Sequence, residues 1–156
     1  MTPKAIITLL LVASLAQLVG CGARRAAQRE PDAAQQVIRQ GGRDRTYIVR
    51  APAGISRESS VPLVIVLHGG GGNARNAETM TGFTAKAESE RFIVVYREGT
   101  SRRTPLLTWN AGHCCGYALE ERVDDVAFIS ALIDELSTRY RIDRERVYVT
   151  GVSNGK

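Results

Sequence analysis

From Arg45 onward, short runs of β-branched and apolar residues alternate with longer stretches whose apolar positions recur every three or four residues. Pro62-Leu63-Val64-Ile65-Val66-Leu67 is continuously apolar, as is Phe92-Ile93-Val94-Val95-Tyr96. Such runs mark strands covered on both faces. Residues 47–50 are shorter and predict an outer strand. Residues 74–90 are mostly polar but space Met80, Phe83 and Ala87 three and four apart, which predicts one helix with a single covered face. Residues 97–122 have no period and predict a long loop, of a length that in compact domains usually carries function. Residues 123–140 are the clearest helix, with Val123, Ala127, Ala131, Leu132, Leu136 and Tyr140 along one side. Asp124 and Asp125 fall in its first turn, where the helix dipole favours negative charge, and read as helix-start acids rather than catalytic ones. Residues 141–144 read as a turn into a further strand, Val147-Tyr148-Val149-Thr150. Strand, helix, strand, helix, strand predicts an α/β fold: a mostly parallel sheet with helices on both faces.

Upstream of this pattern, Lys4 precedes an apolar stretch over residues 5–17 and then Leu18-Val19-Gly20-Cys21. A charged start, a short apolar segment and small residues before a cut site describe a signal peptide, and the segment is too short for an ordinary spanning helix. The tetrad resembles the bacterial lipobox, which implies that Cys21 becomes a lipid-bearing first residue. A diacylglyceryl group supplies the two chains that stable membrane anchoring needs. Ordinary secretion with a chance cysteine is the alternative. Residues 22–44 hold one Val and one Ile among Ala, Gln, Arg and Gly, too little apolar surface to repay ordering, so a flexible linker is expected there. The domain expected to fold is 45–156.

Charge narrows the function classes. The chain of 156 residues has 21 Lys+Arg against 16 Asp+Glu, but the excess sits at the two ends and in residues 22–46. Residues 47–155 carry 13 positive and 13 negative side chains. Nucleic-acid binding needs cations concentrated on the folded domain, so no nucleic-acid partner is expected.

Two motifs carry chemistry. The strand at 147–150 runs into Gly151-Val152-Ser153-Asn154-Gly155. A serine on the sharp turn between strand and helix takes a strained backbone that lifts its hydroxyl above the sheet, and flanking glycines let neighbouring chain approach. Ser153 is therefore the candidate nucleophile. At the end of the 62–67 strand stands His68-Gly69-Gly70-Gly71-Gly72-Asn73. Acyl transfer passes through an anionic tetrahedral intermediate that needs fixed donors. His68, Gly69, Gly70 and Gly71, with the N–H of Asn154 after the nucleophile, make the candidate oxyanion site. A phosphate-binding loop would end in Gly-Lys-Ser/Thr, which is missing here.

The ordered set HGGGGNA, FIVVYREGT, TWNAGHCCGYA, VDDVAFISALIDEL and RIDRERVYVTGVSNG resembles the polyhydroxybutyrate depolymerase family of esterases, to which LpqC-type lipoprotein esterases and some feruloyl esterases are similar. It covers residues 45–155. The resemblance implies an α/β-hydrolase fold, Ser153 as nucleophile, an oxyanion site around His68 to Gly71, and cleavage of hydroxyalkanoate or aryl esters outside the cytoplasm. No cofactor is implied. Three departures stand out. Arg97 replaces a usual Pro and Arg91 a usual Gly, both expected to be surface changes, and Lys156 replaces a second Gly after the elbow.

In α/β-hydrolases the triad acid and base follow the serine, and three residues stand after Ser153. The expectation is an N-terminal part of an esterase domain, truncated after the elbow, with little turnover of its own and an open apolar sheet edge. His68 is expected to brace the glycines and His113 to belong to the cysteine loop. Adjacent Cys114 and Cys115 would pair with each other only through a strained small ring, so at least one distant cysteine partner is expected. Together with His113 they lack zinc-ligand spacing, and no metal is expected. Trp109, Asn110 and Tyr117 line an acyl or aryl pocket or else pack this loop onto the sheet. Two other readings remain: a prolyl-oligopeptidase-like peptidase, and a non-catalytic surface lipoprotein.

Overall fold

A computed structural model describes residues 35–55, 57–102 and 106–156. The signal segment, Cys21 and residues 22–34 lie outside the described residues. Five strands form one sheet: β1 (Gln35–Gln40), β2 (Arg43–Arg50), β3 (Val61–Leu67), β4 (Ile93–Arg97) and β5 (Ile142–Gly151), in the order β1-β2-β4-β3-β5. The sheet is mixed. β1 with β2 and β2 with β4 are antiparallel, whereas β3 runs parallel to both β4 and β5. Among the described residues the α-helices are α1 (Ala74–Thr81), α2 (Phe83–Glu90), α3 (Gly116–Glu120) and α4 (Asp125–Arg139).

Side-chain alternation along β3 divides the core in two. Val61, Leu63, Ile65 and Leu67 pack with Phe128, Leu132 and Leu136 of α4. Val66, together with Ile48, Val94 and Tyr96, meets Ala74, Ala77 and Ala87 of α1 and α2. Both faces of the sheet are thus covered by helices. Asn73 starts α1 by accepting from the Asn76 N–H at 2.8 Å, and Asp124 caps α4 by accepting from Ala127 N at 2.8 Å. Each such cap contributes about 1 kcal/mol.

The structure departs from the sequence reading in four places. Residues 35–44, expected as linker, are β1 and the start of β2, and β1 takes the outer place expected for 47–50. The physical reason is the turn. Gly41 and Gly42 have φ of 58° and 74°, the pair of positive values that a two-residue type I′ hairpin demands. Gln36 then bonds Tyr47 and Arg139, at 3.0 and 2.6 Å, so polar contacts hold what apolar burial alone would not. The expected helix over 74–90 is two helices, broken at Gly82 (φ 64°). The loop over 97–122 contains α3 and a bridge between Thr100 and Thr108. β5 begins already at Ile142, with a register shift opposite Val61 and Leu63. Its outer edge leaves Tyr148 55%, Val149 50% and Val152 44% exposed.

Arg91 is exposed, as expected, but it ends α2 in the left-handed region at φ 61°. That conformation costs an L-residue about 1–2 kcal/mol and glycine nothing. Arg91→Gly is expected to raise the stability by about 1 kcal/mol, read as a higher urea midpoint. A lower midpoint would show that the Arg91 bond to the Ala53 carbonyl, 2.7 Å, outweighs the strain.

Candidate active site

β3 and β5 are parallel neighbours with Leu67 opposite Gly151, so the glycine loop and the serine turn leave the sheet side by side at its carboxyl edge. Val152 N–H donates to Leu67 O at 3.3 Å and ties the two exits together. Ser153 follows in the left-handed region, φ 52°, and is exposed. The chain then closes a 3-10 turn, Ser153–Gly155, through Gly155 N–H to Val152 O at 2.9 Å. A non-glycine residue held at positive φ stores of order 1–3 kcal/mol and needs its surroundings to hold it. Here the surroundings are glycines. A Cβ on Gly155 would come within 2.6 Å of His68 O, and one on Gly151 would strike the Gly155 carbonyl.

Gly69 and Gly70 face this turn. The Cβ position of Gly69 is 3.6 Å from Ser153 Cβ, and that of Gly70 is 3.7 Å from Asn154 Cβ. Among the described residues, the N–H groups of Gly69, Gly70 and Asn154 have no hydrogen-bond partner. The Gly71 N–H, expected among the free donors, instead donates to Leu107 O at 2.8 Å, so that amide holds the loop rather than facing the serine. His68 is 1% exposed. Its Nε2 accepts from Gly99 N–H at 2.9 Å, which leaves Nδ1 as the protonated nitrogen, donating to Gly69 O at 2.8 Å. Burial lowers its pKa below the ordinary histidine value, and the ring is a neutral brace under the glycines.

Trp109 and Asn110 are drawn into structural bonds. Trp109 is 3% exposed, donates Nε1–H to His68 O at 2.8 Å, and packs with its ring tilted against that of His68, the centres 4.9 Å apart. Asn110 donates its N–H to Asp125 Oδ2 at 2.8 Å and its side-chain amide to Val123 O at 3.1 Å. Both still contribute to the wall of a cleft beside the serine turn. Tyr117 accepts from Arg43 through its hydroxyl at 3.2 Å, away from these groups. A contact not foreseen is the Asn154 side chain. It accepts from Trp109 N–H at 2.8 Å and donates to Trp109 O at 3.1 Å, so the residue after the serine clamps the 106–115 loop.

Cys114 and Cys115 are bonded to each other rather than to a distant cysteine, their Cα atoms 3.1 Å apart. Among the described residues there is no third cysteine to compete. The Asn154 amide reaches Cys114 Sγ at 3.6 Å. His113 is exposed and forms no hydrogen bond to Ser153 among the described residues.

Arg97 overturns the expectation of a surface position. It is fully buried on the α4 face of β4, two residues beyond Val95, its guanidinium carbon 3.8 Å from the Phe128 ring centre and 5.1 Å from that of Trp109. Alternation after Ile93 and Val95 was the available signal. Beside it Arg45, 2% exposed, donates to Asp125 Oδ1 at 2.6 Å and lies 4.1 Å from the same Phe128 ring. Asp125 is therefore the buried counter-ion of β2 and not only a helix-start acid. Burial pulls both guanidiniums below their ordinary pKa, that of Arg97 to about 9.

The five-stranded mixed sheet, with helices on both faces and a left-handed serine where β5 ends, defines an α/β-hydrolase fold. The chain belongs to the family described as Esterase PHB depolymerase, whose model matches residues 45–156. It is 32% identical over 133 residues to NocK of Nocardia uniformis subsp. tsuyamanensis, covering 85% of this chain and 37% of that protein. It is 31% identical over 112 residues to feruloyl esterase B of Piromyces equi, covering 71% of this chain and 20% of that one. Among solved structures, acetyl xylan esterase from Aspergillus awamori superposes with a TM-score of 0.53 at 19% identity, over 78% of this chain and 43% of that one. The chain thus spans well under half the length of these relatives.

Proposed function

We propose that this chain provides the nucleophile and oxyanion donors of a serine ester hydrolase. Ser153 Oγ attacks the acyl carbon, the ester C–O bond breaks and the alcohol leaves carrying the serine's proton, which gives an acyl-enzyme, while the N–H groups of Gly69, Gly70 and Asn154 hold the developing oxyanion. The observation that carries this reading is the exposed, left-handed Ser153 set against a glycine loop with open amides. Hydroxyalkanoate or feruloyl-like esters are the substrate class, supported by the family description and by the name of the Piromyces relative. The reading includes export and attachment to a membrane through lipid on Cys21, supported by the N-terminal pattern.

His68 has both ring nitrogens engaged, and a serine without a general base is a weak nucleophile. Turnover of p-nitrophenyl butyrate by these 156 residues is therefore expected to fall well below ordinary enzyme rates. The direct test is covalent trapping. Prolonged incubation with a fluorophosphonate is expected to leave one adduct, on the peptide containing Ser153, and none in Ser153→Ala. An adduct on another residue, or no adduct, would sink the reading. Cleavage of an anilide as fast as the matching ester would favour a peptidase.

A further inference from the structure

The segment from Leu107 to Trp109 touches both halves of the oxyanion site. On the glycine side, Leu107 O accepts from the Gly71 N–H at 2.8 Å, and the Trp109 indole donates Nε1–H to His68 O at 2.8 Å. On the serine side, the Asn154 side chain accepts from the Trp109 N–H at 2.8 Å and donates to Trp109 O at 3.1 Å. Cys114, further along the same loop, places its Sγ 3.6 Å from the same amide nitrogen. The glycine loop and the serine turn leave different strands, and the backbone tie between their exits, Val152 N–H to Leu67 O, is long at 3.3 Å. The Leu107 to Trp109 segment is a second and shorter set of ties across the same gap.

Oxyanion donors act only when each stands about 2.7–3.1 Å from the place the charge will occupy. Two of the three donors here, the N–H groups of Gly69 and Gly70, belong to the glycine loop, and the third is the Asn154 N–H on the serine turn. Their separation is therefore a property of how the turn and the loop are held together. An asparagine amide offers one acceptor and one donor side by side, and it pairs with the N–H and carbonyl of a single residue as a neighbouring strand would. The Asn154 side chain also lies against the loop it registers, its Cβ 3.7 Å from the Cβ position of Gly70.

We propose that the Asn154 side chain is a positioning residue: by gripping Trp109, whose indole holds His68, it sets the distance between its own backbone N–H and those of Gly69 and Gly70. This role rests on the ester reading above and adds to it, because the donor is the Asn154 backbone and the positioning group is its side chain.

The 156-residue chain and its variants are trapped with a fluorophosphonate, whose phosphoryl oxygen takes the oxyanion's place, and the rate at Ser153 is followed beside urea unfolding. Asn154→Ala keeps the backbone N–H and is expected to be trapped about ten-fold more slowly, a shift smaller than the one of about 1 Å that costs a hundred-fold. Trp109→Phe keeps a ring but loses the bond to His68 O, and should slow trapping by a similar factor. The double variant should also be about ten-fold slower, since both changes cut one connection. A side chain with a structural role alone would lower the urea midpoint and leave the still-folded chain trapped at the parent rate. Should Asn154→Ala not melt cooperatively, Trp109→Phe decides by itself. Deuterium exchange at the Trp109 amide of the parent chain needs no variant and is expected to be slow. Parent-rate trapping in the folded single variants, multiplied effects in the double variant, or fast exchange at the Trp109 amide would each overturn the role of Asn154. A parent chain with no adduct at Ser153 fails the ester reading and takes this role with it, whereas a trapped parent with unslowed variants fails this role alone.

Discussion

Asp125→Asn is expected to cost the fold about 3–5 kcal/mol, the usual penalty for removing one partner of a buried ion pair. The asparagine keeps the shape and can still accept from the Asn110 N–H, so packing is not what is lost. What is lost is, among the described residues, the only anion within reach of two buried guanidiniums: Arg45 at 2.6 Å, and Arg97, whose pKa the Asp125 charge helps to hold up against burial. The exposed pair Arg144 and Asp134, at 2.5 Å with both side chains more than 60% exposed, is the control. There Asp134→Asn should change stability by less than about 1 kcal/mol. Urea unfolding of the two variants compares them directly, and adding Arg45→Met to Asp125→Asn should restore much of the loss by removing one unpaired cation. A loss below about 1 kcal/mol in Asp125→Asn would mean that the Arg45 charge is not held by this carboxylate.

The buried charge layer also shows where sequence reading reaches its limit. β3, β4, α4 and the serine turn were legible because each declares itself locally, through an apolar run, a helical period or a glycine-serine spacing. A parallel sheet also puts the carboxyl ends of β3 and β5 at one edge, but that the two strands are immediate neighbours is set by the strand order, which the sequence does not state. The burial of Arg97 and Arg45 was not legible as long as arginine was counted as surface. It depends on which face of the strand each residue takes and on which aromatic rings stand opposite, and both are properties of register. β1 was missed for a related reason. Its composition is that of a linker, and only Gly41-Gly42 between two short runs marks a hairpin. The Asn154 clamp on Trp109 joins residues 45 positions apart, and no spacing rule reaches that far.

Gly155→Ala is expected to destabilise the chain by about 3 kcal/mol, at the upper end for overpacking, and to slow trapping at Ser153 about a hundred-fold. The added Cβ would stand 2.6 Å from His68 O, 2.9 Å from Leu67 Cβ and 3.0 Å from Leu67 O. Those atoms cannot swing aside as a flexible side chain would: two are backbone oxygens and the third is fixed to the backbone at the end of β3. Relief therefore requires the serine turn to lift away from β3, stretching the Val152 to Leu67 bond of 3.3 Å. That movement separates Ser153 from the Gly69 and Gly70 amides, and a displacement of about 1 Å is enough for the rate loss. Gly70→Ala is the contrast. Its Cβ would meet Asn154 Cβ at 3.7 Å and Oδ1 at 4.0 Å, ordinary contacts, so its stability should stay within about 0.5 kcal/mol of the parent. If Gly155→Ala proves as stable as Gly70→Ala, the close approach of turn and strand is not what holds Ser153 in its left-handed conformation.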